Sequence, residues 1–175
     1  MEDLKYPIGK FEAKPFSTAL LEEWLLDIEI LPKLLEFAIL NLDAHQLAEP
    51  YRPNGWTVNQ VVHHVADSHI NALVRIKLCL TEDNPTIKPY DEVAWANLAD
   101  VTLVPINVSL TILHAIHQKM VVLFKNIDGV VWHKTFYHPA NKSTVTLWDM
   151  LGTYAWHGKH HTAHINELRK RKGWN

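Results

Sequence analysis

The sequence has little cysteine, almost no net charge and no long apolar run. Cys79 is the single cysteine, so no internal disulfide can form, and the first ten residues lack the basic and apolar regions of a secretory signal. We therefore expect a cytoplasmic protein. The longest apolar stretches, such as residues 121–124, are far shorter than the roughly 20 residues of a membrane span, which argues against membrane insertion.

The chain also has no large excess of charge of one sign, because 17 basic and 19 acidic side chains leave a formal charge of −2. Basic residues cluster only at residues 169–172, a run that is more typical of a solvated last helical turn than of a nucleic-acid patch. Nucleic-acid binding is therefore not expected. The remaining composition, 47% apolar and 21% charged over 175 residues, predicts a single globular domain over residues 1–175.

Apolar residues at helical spacing and capping residues predict four long helices. Ser17 or Thr18 begins the first, and Pro32 within it is expected to kink or split it near Leu31. Thr57 with Gln60 is a capping box that begins the second. The predicted helices start near residues 17, 57, 109 and 146, where the candidate caps are Ser17, Thr57, Ser109 and Thr146.

The segments between these helices predict the architecture. Residues 85–107 contain three prolines and form a long connection, and residues 129–146 carry β-branched and aromatic residues around a turn, which predicts a short β-hairpin. Four helices with one long crossover and one hairpin insertion indicate an all-α, antiparallel four-helix bundle. In such bundles metal sites are built from facing helices.

Histidine is the residue in excess, and seven of the twelve copies lie in HHVADSH (63–69) and WHGKHHTAH (156–164). Residues four apart on a helix share a face, so His157 with His161, or His160 with His164, can share one ion. On a helical projection His161 falls within the apolar stripe, and His160 and His164 lie on its flank. On the second helix the projection permits His64 or His69 as a third ligand.

The pattern also constrains the chemistry. No glutamate follows the first histidine of either pair, so the HExxH motif of zinc proteases is absent. Three neutral histidines would leave a metal ion its charge and an open position, where water ionises near pH 7 or a thiol binds as thiolate. Hydrolysis and thiol transfer are both compatible with such a site.

Several segments resemble the DinB/YfiT-like family, in particular its YfiT branch of metal-dependent hydrolases. They span nearly the whole chain and are YPIG (6–9), PYRPNGWTVNQVVHHVADSH (50–69), KPYDEVAW (88–95), FYHP (136–139), WHGKHHTAH (156–164) and the final GW (173–174). The resemblance implies an antiparallel four-helix bundle, a homodimer, and one zinc or nickel ion per subunit. Matched position by position, it implies the ligands His64, His160 and His164.

The same resemblance implies a metal-dependent hydrolase acting on a small molecule. The alternative is a transferase that uses a low-molecular-weight, bacillithiol-like thiol, whose carboxylates Arg52 or Arg75 would bind. The second alternative is a non-catalytic dimerisation module in which the ion only holds the second and fourth long helices together. Asp67, one turn beyond His64, is a candidate for orienting a ligand or acting as a base, but no catalytic residue is assigned.

Overall fold

The computed structural model describes residues 2–174, so the two ends of the predicted domain, Met1 and Asn175, lie outside the described residues. Four long helices account for most of the chain. A two-stranded antiparallel sheet, β1 with β2, lies between the last two of them. In chain order the elements are α1 (Glu2–Lys5), α2 (Thr18–Ile39), α3 (Ala44–Leu47), α4 (Val58–Thr81), α5 (Glu92–Trp95), α6 (Ala99–Leu103), α7 (Ile106–Lys125), a 3-10 helix (Gly129–His133), β1 (Thr135–His138), β2 (Ser143–Thr146) and α8 (Leu147–Lys172).

The long helices α2, α4, α7 and α8 form the predicted four-helix bundle. Each packs against two others, so that the order around the bundle is α2, α8, α4, α7. Contacts between their residues show that α2 runs parallel to α8 and α4 runs parallel to α7, whereas the other two neighbouring pairs are antiparallel. The parallel pair α4 and α7 requires the predicted long crossover, which contains α5 and α6.

Three helix starts are confirmed by their caps, and at the first of them Ser17 Oγ accepts from the backbone N–H of Leu20 at 3.2 Å. Thr57 Oγ1 accepts from the backbone N–H of Gln60 at 3.1 Å, and Gln60 Oε1 accepts from that of Thr57 at 3.0 Å. Thr146 Oγ1 accepts from the N–H of Asp149 at 2.9 Å. These bonds, which are reciprocal at Thr57, satisfy N–H groups that have no partner inside the helix.

The start predicted for the third long helix was wrong. Helix α7 begins at Ile106, directly after Pro105, and Ser109 lies inside it as a buried residue. Its hydroxyl lies 2.9 Å from His63 Nδ1 on α4. A polar residue that resembles a cap in sequence therefore makes a contact across the bundle.

The break predicted near Leu31 is also absent, because α2 is one helix from Thr18 to Ile39. Pro32 has no N–H to donate to the carbonyl of Ile28, which is the acceptor four residues earlier. That carbonyl instead contacts Nδ1 of His117 on α7. A side chain from a neighbouring helix thus replaces the missing backbone bond.

The predicted hairpin is present but shorter than expected. Its strands pair from Thr135 with Thr146 to His138 with Ser143, and residues 129–133 form a 3-10 helix instead of a strand. Tyr137 also bonds to the crossover, since its N–H donates to the carbonyl of Pro85 at 2.9 Å. The hairpin therefore packs beside the end of α4.

Helices α2 and α8 approach closely because two glycines of α8 face large side chains of α2. A Cβ atom at Gly158 would lie 2.9 Å from Leu31 Cγ and closer still to both methyl groups, and one at Gly152 would lie within 3.0 Å of the ring of Trp24. No side chain larger than hydrogen fits at either position without displacing its neighbour.

Helix α7 is long and apolar enough to cross a membrane by length and composition, a criterion that core helices of soluble proteins also meet. In the bundle it packs against α2 and α4. It also buries Ser109 and His117, whose polar atoms bond to those two helices. This packing explains its apolar composition.

Candidate metal centre

The core is divided into two apolar clusters, and buried histidines lie between them. Every long helix passes from one cluster to the other along its length, at Ile28–Leu31, Ala66–Ala72, Leu113–Met120 and Ala155–Ile165. In or beside this gap lie five histidines that we call the histidine layer: His64, His69, His117 and His161, which are buried, and His157, which is partly buried. The buried rings among them require partners, because an unpaired buried polar group is costly.

Three members of the layer converge. One ring nitrogen from each of His64, His157 and His161 lies within 4.8 Å of the other two, and the Nε2 atoms of His64 and His157 are 3.3 Å apart. Two nitrogens bound to one zinc ion at about 2.0–2.1 Å with a tetrahedral angle would be about 3.3–3.4 Å apart. The observed spacing therefore fits two ligands of one ion.

A chain of hydrogen bonds through His117 and His69 determines which ring nitrogen of His157 is unprotonated. The carbonyl of Ile28 can only accept, so His117 donates from Nδ1 and its Nε2 must accept. His69 Nδ1 lies 2.9 Å from that Nε2 and donates to it, which leaves His69 Nε2 as an acceptor. His157 Nδ1 lies 3.2 Å from His69 Nε2 and donates in turn.

The consequence is that Nε2 of His157 carries a lone pair and faces His64. A histidine that binds a metal commonly donates its other ring N–H to an acceptor, which holds the ring in place and raises its basicity. His69 is that acceptor for His157, and His117 is in turn the acceptor for the N–H of His69. The sequence prediction treated α7 as scaffold and missed His117, although it lies on the apolar stripe between Leu113 and Met120, where a histidine is unusual.

Burial keeps these rings neutral. It lowers the pKa of His64 and of His117 to about 4, and it lowers the pKa values of His69, His157 and His161 well below the ordinary 6.5. Repulsion from the neighbouring imidazoles adds to the effect in the last three. Neutral imidazoles at pH 7 are the form that binds metal ions.

A second group contains His160, His161 and His164, whose ring nitrogens also lie within 4.8 Å of one another. His160 stacks on Trp156 with ring centroids 4.4 Å apart, and His164 stacks on Tyr51 at 3.9 Å. His164 donates from Nε2 to the carbonyl of Lys5 at 3.0 Å. This group therefore packs against the N-terminal segment and the loop before α4.

The structure places His64, His160 and His164 around one cavity, but within the described residues their ring nitrogens do not form one close group. His64 groups with His157 and His161, and within residues 2–174 no such group joins His64 to both His160 and His164. The set His64, His160 and His164 therefore stays a prediction. The spacing of the ring nitrogens around His64 favours the other HxxxH pair, His157 with His161, which the sequence had left open.

The other sequence candidates lie further from the centre. His63 contacts Ser109, away from the group. Asp67 lines neither of the cavities beside the histidines, and burial, with help from Asp100, raises the pKa of its carboxyl group to about 6. Nothing in these contacts shows Asp67 orienting a ligand imidazole.

Two cavities meet at His157. One, of about 460 Å³, extends from His157 and Tyr154 toward Arg75 and the hairpin. The other, of about 450 Å³, is lined by His64, by the second histidine group and by Arg52. Because His157 lines both, a small molecule in either cavity would lie beside the histidine centre, and Glu92 of α5 also lines both.

Comparison with known proteins adds relatives over the full length. Proteins of Bacillus cereus strain 03BB102 and Bacillus thuringiensis subsp. konkukian, both carrying the name "Putative metal-dependent hydrolase", are each 51% identical to this chain over 175 residues, which is 99% of the chain and 100% of each relative. These names, with the histidine cluster, support a bound metal ion.

A solved structure matches the fold. YfiT from Bacillus subtilis, described as "a probable metal-dependent hydrolase with an unusual four-helix bundle topology", superposes with a TM-score of 0.96 at 42% identity and covers 99% of both chains. The family model of the DinB superfamily matches residues 28–165, which include all four long helices in whole or large part. The chain therefore belongs to the DinB superfamily.

Proposed function

We propose that this chain is a metal-dependent hydrolase in which His64, His157 and His161 bind one divalent ion, zinc or nickel. The observation that carries the proposal is the 3.3 Å separation of the Nε2 atoms of His64 and His157 in a group of neutral rings, two of them buried and one partly buried. An ion held by three imidazoles would keep its charge and an open position, and would supply Lewis acidity and an acidified water.

The chain's own groups support hydrolysis beside this centre. His157 borders both cavities, so a substrate in either would reach the ion. Trp56 covers one side of His64 with ring centroids 4.5 Å apart, which restricts solvent there. Glu92 lines both cavities, and burial, followed by the charge of Asp91, raises the pKa of its carboxyl group. We propose that Glu92 accepts and returns the proton during hydrolysis.

The ligand set is tested by alanine variants with matched controls. We expect His64→Ala, His157→Ala and His161→Ala each to lose most bound metal, and His63→Ala, on the same helix as His64, to keep it. The measurement is elemental analysis of protein purified without a metal-affinity column, which also identifies the metal.

The same measurement on His160→Ala and His164→Ala decides between the two HxxxH pairs. If both lose metal while His157→Ala retains it, the set implied by family resemblance is correct and the geometric assignment is wrong. Equal losses in His63→Ala and His64→Ala would contradict both sets.

The reaction class is tested by turnover of activated esters and amides with and without chelator. A hydrolase loses turnover on chelation and keeps its helical circular dichroism, whereas a purely structural ion would take much of the helicity with it. Activity that appears only with an added low-molecular-weight thiol would support the thiol transferase instead. The homodimer stays a prediction.

A further inference from the structure

The cavity of about 460 Å³ contains an arginine, Arg75, that forms no ion pair with any described residue. Ion pairs in the described chain join Lys or His residues to Asp27, Glu29, Glu36 and Glu49, and none involves Arg75. Its one hydrogen bond among the described residues runs from Nη1 to the hydroxyl of Tyr154, at 3.3 Å. A guanidinium has five N–H donors, so most of its capacity is unused.

The other three arginines of the chain differ in this respect. Arg52, Arg169 and Arg171 each donate to at least one backbone carbonyl, those of Pro53, Ala38 and Tyr51 among them, so they stabilise loops and helix ends. Arg75 makes no such bond within residues 2–174 and lines a cavity. Its position therefore indicates a role toward something that enters the cavity.

Further groups beside Arg75 suit an oxyanion. Tyr90 and Tyr154 line the same cavity and interact with Ser68, which places hydroxyl donors near the guanidinium. His138, on the hairpin, also lines the cavity and lies close enough for Arg75 to help lower its pKa, after burial as the larger cause. A neutral His138 can add another donor without adding charge.

The size and charge of the cavity restrict the anion. Its volume is in the range of small-molecule sites. A single guanidinium matches a planar monoanion through two parallel bonds, whereas Glu92 in the same lining opposes a dianion such as phosphate. A carboxylate is therefore the best match.

We propose that Arg75 binds the carboxylate of a small substrate whose reacting bond lies at the histidine centre. This inference rests on the proposed function for the reacting end, and it makes the substrate class carboxylate-bearing esters or amides, with a free acid besides the bond that is broken. Arg75 is then the specificity-determining residue. His157, which lines the same cavity, is the link to the centre.

The test measures binding separately from turnover. Monomethyl succinate is titrated into the metal-loaded protein while the side-chain Nε–H resonance of Arg75 is followed by NMR. We expect a saturable shift, no shift with dimethyl succinate, and affinity for monomethyl succinate about 10–100-fold lower in Arg75→Met, the usual cost of a lost hydrogen bond to a charged group. Arg52→Met, in the other cavity, is the matched control and should bind as the unaltered protein does.

Several results would overturn the assignment. These are an unmoved Arg75 resonance, equal affinity in Arg75→Met, no binding at all, or loss of binding only in Arg52→Met. Turnover of the 4-nitrophenyl half-ester of succinate is measured in parallel. Binding at Arg75 without hydrolysis would support the carboxylate site and reject the hydrolase. Hydrolysis without selectivity for the free acid would support the hydrolase and reject the carboxylate site.

Discussion

Replacing His117 tests whether the hydrogen-bond line sets the state of the metal ligand His157. In His117→Leu the N–H of His69 Nδ1 loses its acceptor, and the carbonyl of Ile28 loses its donor. His69 then avoids a buried, unpaired N–H by moving its proton to Nε2 and donating to His157. That change places the proton of His157 on Nε2, the atom that should face the metal.

The magnitude follows from the bond that is lost. To bind, a metal must return His69 to the form with an unpaired N–H, which costs about 1–3 kcal/mol. This corresponds to roughly 5–150-fold in affinity, in line with the 10–100-fold typical of residues that support metal ligands. His117→Gln carries both a donor and an acceptor, so it can bond to Ile28 and His69 and should restore most of the affinity.

The assay is zinc affinity by competition with a chromophoric chelator, combined with nitrogen NMR of the histidine rings in the metal-free protein. Protonated and bare ring nitrogens give well-separated signals. We expect His157 to be bare at Nε2 in the unaltered protein and in His117→Gln, and protonated there in His117→Leu. If His117→Leu binds zinc as tightly as the unaltered protein, with the same form of His157, the reasoning is refuted.

Two further predictions concern stability. The pKa of His117 is about 4 in the folded protein and 6.5 ordinarily, so as pH falls the unfolded chain takes up this proton before the folded protein does. The free energy of unfolding is therefore highest above pH 6.5 and falls by roughly 3 kcal/mol for this ring as pH falls toward 4. The urea midpoint of the metal-free protein should fall from pH 7 to pH 6 and pH 5, and it should fall less in His117→Gln. An equal fall in both proteins would contradict this. Gly158→Ala should destabilise by about 1–3 kcal/mol, because the added methyl group meets the buried Leu31, against a helix-propensity gain of about 1 kcal/mol. Thermal unfolding measures it, and an equal cost in a Leu31→Ala background would show that the clash is not the cause.

The sequence predicted features that depend on local chemistry. The capping box at Thr57 and the N-cap at Thr146 need only residues three apart, so both helix starts were correct. Ser109 has the same chemistry, yet it was misassigned because its partner, His63, is 46 residues away. The direction of the helices around the bundle was likewise beyond local patterns.

The candidate site was predictable to the level of two histidine-rich helices. Helical spacing produced both HxxxH pairs, but the choice between them depends on how α8 is rotated against α4. That rotation is set by packing over the whole interface, including the glycines that bring α2 against α8. His117 could have been noticed as a polar residue in an apolar stripe, although its partners were not visible in sequence.

Pro32 has a consequence that reaches beyond its own helix. A row of three imidazoles has two alignments, with every proton pointing one way or every proton pointing the other, and by themselves the two are nearly degenerate. Because Pro32 has no hydrogen to offer, the carbonyl of Ile28 remains available to His117, and an oxygen that can only accept removes this degeneracy. A residue known for breaking helices thus sets the direction of a proton array three rings away.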